Sequence, residues 1–227
     1  LRLAAEGATV AVADVVGDAA ADTVAEIEGA GGRALAVPFD VRSWEATEAA
    51  VGQITSEFGR LDVVCNVAGI GGFQESHTAD PEMWDRMVGI NLTGTFHVCR
   101  AVLPGMVERG EGSIVNTAST AGIMGQPWSA AYCASKGGVI MLTKALATEY
   151  DLPLRINAVA PGGVDTPMYG QFMPPEGVDW NRMKKMSRDN VPPASPDRLA
   201  RFFAFVASDE ADYMTGAIVV ADGGISI

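Results

Sequence analysis

Histidine, cysteine and positive charge are all scarce in this chain, and each scarcity removes a class of function. The 227 residues hold only 2 His, His77 and His97, far apart and without partners at ligand spacing, so no metal centre is expected. The 3 Cys (Cys65, Cys99, Cys133) form no C-x-x-C pair and sit in apolar or small-residue runs. They read as reduced, buried thiols of a cytoplasmic protein rather than as a disulfide framework. Lys and Arg number 16 against 28 Asp and Glu, a formal charge of −12. Polyanions are repelled by such a surface, so neither nucleic acid nor an anionic membrane is an expected partner. No apolar run approaches the roughly 18 residues that a membrane span needs.

What is present is a large apolar fraction, 48%, and 26 Gly, the composition of a folded α/β chain with a sizeable core. Short β-branched runs alternate with longer amphipathic stretches. The strand-like runs are "ATVAVADV", "RALAVPFDV", "LDVVCNVAG", "GSIVNTAS", "LRINAVAPG" and "AIVVADGG". Helical stretches lie between them, at about 17–32, 44–59, 81–108, 131–151 and 196–208. Residues 166–196 carry half of the prolines and a short helical pattern near Trp180–Arg188. The strands are continuously apolar, as expected when both faces are covered. Strand, helix, strand, repeated, predicts a Rossmann-like, doubly wound parallel sheet in one domain, residues 1–227.

In such sheets the ligand sits beyond the carboxyl ends of the strands. The unusual residues of this sequence gather at those ends: Asp14, Asp40, Asn66 to Gly69, Ser119 and Pro161 to Thr166. Asp14 ends the first strand shown. In a dinucleotide fold a carboxylate there accepts the ribose hydroxyls of NAD and repels the extra phosphate of NADP. An Asp in that place is also a common turn or helix-cap residue.

The stretch "AAYCASKGG" adds a Tyr–Lys pair, Tyr132 and Lys136, four apart and so on one helix face among small residues. Taken together, "NVAG" (Asn66–Gly69), "INLTG" with Asn91, "NTAST" with Ser119, Y-x-x-x-K and "PGGVDTPM" resemble the classical short-chain dehydrogenases/reductases. The resemblance runs from Leu1 to the closing "ADGG". It departs from the family pattern at Val67, where the family has a second Asn.

The resemblance implies Asn91, Ser119, Tyr132 and Lys136 as the catalytic set. It implies a cofactor site of Asp14, Asp40, Val41, Asn66, Ala68, Gly69, Tyr132, Lys136, Pro161, Gly162, Val164 and Thr166, with Asp40-Val41 against adenine and Val164 and Thr166 on the nicotinamide. NAD is the implied cofactor. The implied substrate is a small alcohol or ketone under a lid at about 166–196, and the implied assembly is a homodimer or homotetramer. Met168, Tyr169, Phe172 and Met173 suggest an apolar or mixed substrate.

The chemistry has a physical reason. A free Tyr has a pKa near 10, too high for a base at neutral pH, and a nearby cation lowers it. Lys136 supplies that cation, Ser119 holds the substrate oxygen, and Asn91 positions water for a proton relay behind Lys136, or is a buried Asn bonding backbone, two roles that can hold together. A catalytically silent nucleotide-binding homologue and a 3-oxoacyl-thioester reductase are the alternatives. An extended-branch epimerase or dehydratase would need a larger C-terminal domain.

Two absences concern the start. The first residue is Leu1, not Met, and "LRLAAEG" reads as the end of a helix closed by Gly7. The dinucleotide fingerprint sets its glycine-rich loop about 20 residues before the ribose-binding acid, and counting back from Asp14 runs off the chain. Neither that loop nor the first strand of the sheet lies in the sequence, and some 20 or more residues are expected ahead of Leu1. Intact-mass measurement of the protein tests this, and a mass near 23.7 kDa overturns it.

Overall fold

A computed structural model describes residues 1–184 and 191–227. Among these, six parallel strands alternate with helices in the expected order. The strands are β1 (Val10–Asp14), β2 (Ala34–Pro38), β3 (Val63–Asn66), β4 (Gly112–Thr117), β5 (Leu154–Pro161) and β6 (Ile218–Ala221). The helices are α1 (Arg2–Ala5), α2 (Gly17–Gly29), α3 (Trp44–Phe58), α4 (Pro81–Val88), α5 (Gly94–Arg109), α6 (Ala130–Ala147), α7 (Trp180–Met183) and α8 (Pro196–Ala207). Of the helical pattern read near Trp180–Arg188, positions 185–188 lie outside the described residues.

Local chemistry sets the helix ends. Ser43 Oγ accepts from Ala46 N at 3.1 Å to open α3, and Asp80 accepts from Glu82 N at 3.0 Å ahead of Pro81 to open α4. Gly110, at φ 74°, closes α5 in the left-handed conformation that glycine adopts without a Cβ clash. The stretch read as one helix from Pro81 onward is broken by a π turn at Gly89–Thr93. That turn carries Asn91, and such insertions re-aim residues at functional sites.

The strands form two parallel sheets, β1-β2 and β3-β4-β5-β6. β1 and β3, the strands expected to lack a common neighbour, face each other across a cleft of ≈ 570 Å³. Its floor is apolar, with Val63, Val98 and Val102, and its rim holds the polar strand ends. In the larger sheet the side chains alternate between two cores. Ile114 and Ile156 face Cys99, Leu103 and Met106 of α5, while Val115 and Val159 face Val206 and Ala207 of α8. Covering both faces explains the continuous apolar runs.

One buried charge ties this sheet to its covering helix. Arg155 on β5 donates to the carbonyls of Val206 (2.9 Å), Ala207 (3.1 Å) and Ser208 (3.0 Å), the end of α8. A cation there satisfies orphan carbonyls and complements the helix dipole. Arg155→Met should therefore lower unfolding stability by about 3 kcal/mol, because three buried carbonyls lose a charged donor. Urea unfolding checks it, and a loss under about 0.5 kcal/mol, the size of an ordinary surface substitution, would refute the anchor.

Candidate active site

The parallel register builds the site. β3 and β4 align Asn66 with Asn116, and Asn66 Nδ2 donates to Asn116 Oδ1 at 2.9 Å. Asn116 Nδ2 in turn donates to Thr143 Oγ1 on α6 at 3.0 Å. The chain of side chains thus locks α6 over the carboxyl end of the sheet. Glycine makes the approach close. A Cβ on Gly122 would lie 2.7 Å from the Lys136 carbonyl, and one on Gly138 would lie 2.6 Å from Leu92 Cδ2. The small residues around the Tyr–Lys pair are what let α6 sit so near its neighbours.

Tyr132 and Lys136 occupy the same face of α6, both buried at 9% and 4% exposure. The Lys136 ammonium lies 5.9 Å from the centre of the Tyr132 ring and donates to the Thr117 carbonyl at 2.8 Å. Burial lowers its pKa to about 8. Burial also raises the Tyr132 pKa above that of a free phenol, while a hydrogen bond with Ser119 pulls it down. In the chain by itself, desolvation is the larger of these two influences on Tyr132.

Asn91 takes the backbone-bonding role, one of the two compatible roles expected for it. Its Oδ1 accepts from Ile70 N at 2.8 Å, and its Nδ2 donates to the Ile70 carbonyl at 2.9 Å and to Ser135 Oγ at 3.0 Å. The amide is spent on clamping the turn after β3 to α6. Ser135 Oγ in turn donates a hydrogen bond to the Tyr132 carbonyl at 2.9 Å. Gly69 lies against this clamp: a Cβ there would be 3.2 Å from Asn91 Oδ1 and 3.6 Å from Lys136 Nζ.

Many of the sequence-derived residues line one of two cavities. Asp14, Asp40, Val41, Asn66, Ala68 and Gly69 line the cleft between β1 and β3. Ser119, Tyr132 and Gly162 line a second cavity of ≈ 730 Å³. Pro161 ends β5, and Val164 pairs with Ala194. Thr166 Oγ1 donates weakly to the Val164 carbonyl at 3.4 Å. Two carboxylates already have partners. Asp14 Oδ1 accepts from Val16 N at 2.9 Å, the turn role, and Asp40 pairs with Arg42 at 2.6 Å. Hydrogen bonds from the Arg42 side chain hold the Asp40 carboxyl below the usual range.

Sequence reasoning missed Phe73, which meets Phe172 edge-on at 5.2 Å, as Phe172 meets Tyr132 at 5.2 Å. It also missed Ser135, whose only signal was its place three residues after Tyr132. His77 is exposed beside Glu75 at 3.8 Å, the solvated loop position. Trp128, at φ 59°, stacks edge-on to Phe73 and accepts from Gln74 N at 2.7 Å through its carbonyl.

The fold and site define a Rossmann-like oxidoreductase. More narrowly, the chain belongs to the short chain dehydrogenase family, whose model matches residues 1–176. The chain is 37% identical to 2-(S)-hydroxypropyl-CoM dehydrogenase 3 of Xanthobacter autotrophicus, covering 97% of this chain and 88% of that one. It is 36% identical to a 3-oxoacyl-[acyl-carrier-protein] reductase of Thermotoga maritima, over 100% of this chain and 91% of that one. A crystal structure of a 3-oxoacyl-[acyl-carrier protein] reductase from Brucella melitensis with bound NAD superposes with a TM-score of 0.84 at 34% identity, covering 100% of this chain and 86% of that one. The family binds NAD or NADP. The residues present fit a dinucleotide: a carboxylate-bearing strand end at Asp14 and a turn at Asn66–Gly69 kept free of side chain at Gly69. Among the described residues no helix is long and apolar enough to cross a membrane.

The buried ammonium gives a pH signature. Below about pH 8 both folded and unfolded chains hold the Lys136 proton, and the folded chain bears a buried charge. Between about pH 8 and 10.5 the unfolded chain binds more protons than the folded one, so this penalty fades as pH rises. Urea unfolding without added nucleotide should show wild type gaining on Lys136→Met across that window. A difference that does not change with pH would refute the assignment.

Proposed function

We propose that this oxidoreductase interconverts a secondary alcohol and a ketone with NAD, and that Tyr132 is the proton donor and acceptor. The supporting observation is the placement of Tyr132 and Ser119 on one cavity wall, with the Lys136 ammonium buried one helix turn behind.

The nicotinamide cofactor, when bound, supplies the hydride acceptor or donor. Everything else is the work of the chain. Ser119 donates to the substrate oxygen and stabilises charge that develops there. Tyr132 takes the hydroxyl proton in oxidation and returns it in reduction. With a pKa of about 8, Lys136 is a cation at neutral pH and favours the phenolate. Its carbonyl partner, Thr117, fixes where that charge stands. Asn91 holds the turn at Ile70 and thereby the wall beside Lys136. This positioning role and a part in a proton relay behind Lys136 hold together.

Asp14, Asp40, Val41 and Asn66–Gly69 form the nucleotide side, and Pro161–Thr166 the nicotinamide side. Asp14 favours NAD over NADP by charge repulsion. Residues 166–196 act as the substrate lid, in which Phe172 covers Tyr132. Action on a 3-oxoacyl thioester is the second reading, supported by what the Thermotoga and Brucella relatives act on.

The test is a screen of secondary alcohols, ketones and a 3-oxoacyl thioester with NAD and NADP in parallel. We expect turnover of an alcohol–ketone pair with NAD preferred. Tyr132→Phe should lose roughly 10³-fold or more in kcat while NADH affinity changes little. Full activity in that variant would sink the mechanism.

A further inference from the structure

The cavity that holds Ser119 and Tyr132 carries charge of the wrong sign for this chain. Acids outnumber bases 28 to 16 over the whole sequence. Yet among the described residues the cavity is lined by two cations, Lys184 and Arg198, and by one acid, Asp222. That acid is already engaged: Oδ1 accepts from Gly224 N and Oδ2 from Ser226 N, both at 2.8 Å. Those bonds help hold its carboxyl below the usual range. Among the described residues neither Lys184 nor Arg198 makes an ion pair. The same cavity is also lined by Tyr169, Phe172 and Leu199, alongside Ser119 and Tyr132.

An apolar cavity with polar reacting groups and a cationic pair among its lining residues has the layout of a site for a bifunctional ligand. We propose that the substrate carries an anionic group, a carboxylate, sulfonate or phosphate, that Lys184 and Arg198 bind while the carbinol or carbonyl carbon meets Ser119 and Tyr132. This rests on the oxidoreductase reading for the reacting end only. The two cations discriminate among substrates and take no part in the chemistry. Such a cationic spot on a chain of −12 also draws anions that the remaining surface repels. The cavity, at ≈ 730 Å³, has room for a small ligand of this kind.

Binding tests the proposal without requiring turnover. Hexanoate and hexanamide, alike in shape and unlike in charge, serve as probes in ligand-observed NMR titrations. Hexanoate should bind about tenfold more tightly, and the preference should shrink as salt rises from about 0.02 to about 0.5 M. The double variant Lys184→Gln/Arg198→Gln should bring the ratio close to one. Tyr132→Phe should leave the ratio unchanged. Equal binding of the two probes, no binding of hexanoate, or survival of the preference in the double variant each overturns the proposal. Displacement of hexanoate by saturating NADH also overturns it, since the cations would then serve the nucleotide. A preserved hexanoate preference in a protein that turns over no alcohol or ketone would sink the oxidoreductase reading alone.

Discussion

A buried ammonium organises this molecule. Lys136 is almost wholly enclosed, and an isolated charge in such a place is costly. Its bond to the Thr117 carbonyl offsets part of that cost and binds α6 to the end of β4. The neighbours must then be small: Gly69 on one side and Gly122 on the other leave no space for a Cβ without displacement. Once the ammonium is fixed, the Tyr132 ring one turn earlier is fixed with it. The lowered pKa of Lys136 and the raised pKa of Tyr132 have the same origin, burial, and both groups are less ionised than they would be in water.

Polar side chains carry this order through the sheet. Asn66, Asn116 and Thr143 link β3, β4 and α6, while Ile70, Asn91, Ser135 and the Tyr132 carbonyl link the turn after β3 to the same helix. Each buried amide has its partners, which is the condition under which buried polarity specifies a structure rather than weakening it. The π turn at Gly89–Thr93 brings Asn91 into this network. Arg155 does for α8 what Lys136 does for α6: a buried cation meets backbone carbonyls and joins a helix to the sheet.

Much of the fold was legible because its signals are local. Apolar β-branched runs marked the strands, and in the structure Ser43, Asp80, Gly59 and Gly110 stand at helix ends. The gathering of Asp14, Asp40, Asn66–Gly69, Ser119 and Pro161–Thr166 at strand ends followed from parallel order alone. What stayed hidden was three-dimensional. Nothing in the spacing distinguishes an Asn91 that orders water from one that clamps Ile70. Nor does a Tyr four residues from a Lys reveal that burial raises its pKa. The aromatic contacts of Phe73 with Phe172, and the meeting of Lys184 and Arg198 on one cavity, join residues far apart in the chain.

The sequence by itself determined the alternation of strands and helices, the parallel sheet and the family, because periodicity, capping and ordered motifs are written along the chain. The Tyr132–Lys136 pairing was also decided there, since a helix sets residues four apart on one face. Tertiary structure alone decided the protonation balance of that pair and the division of the site into two cavities. It decided the charge lining the larger one as well. These depend on desolvation and on distances between elements, and such quantities exist only once the chain has closed on itself.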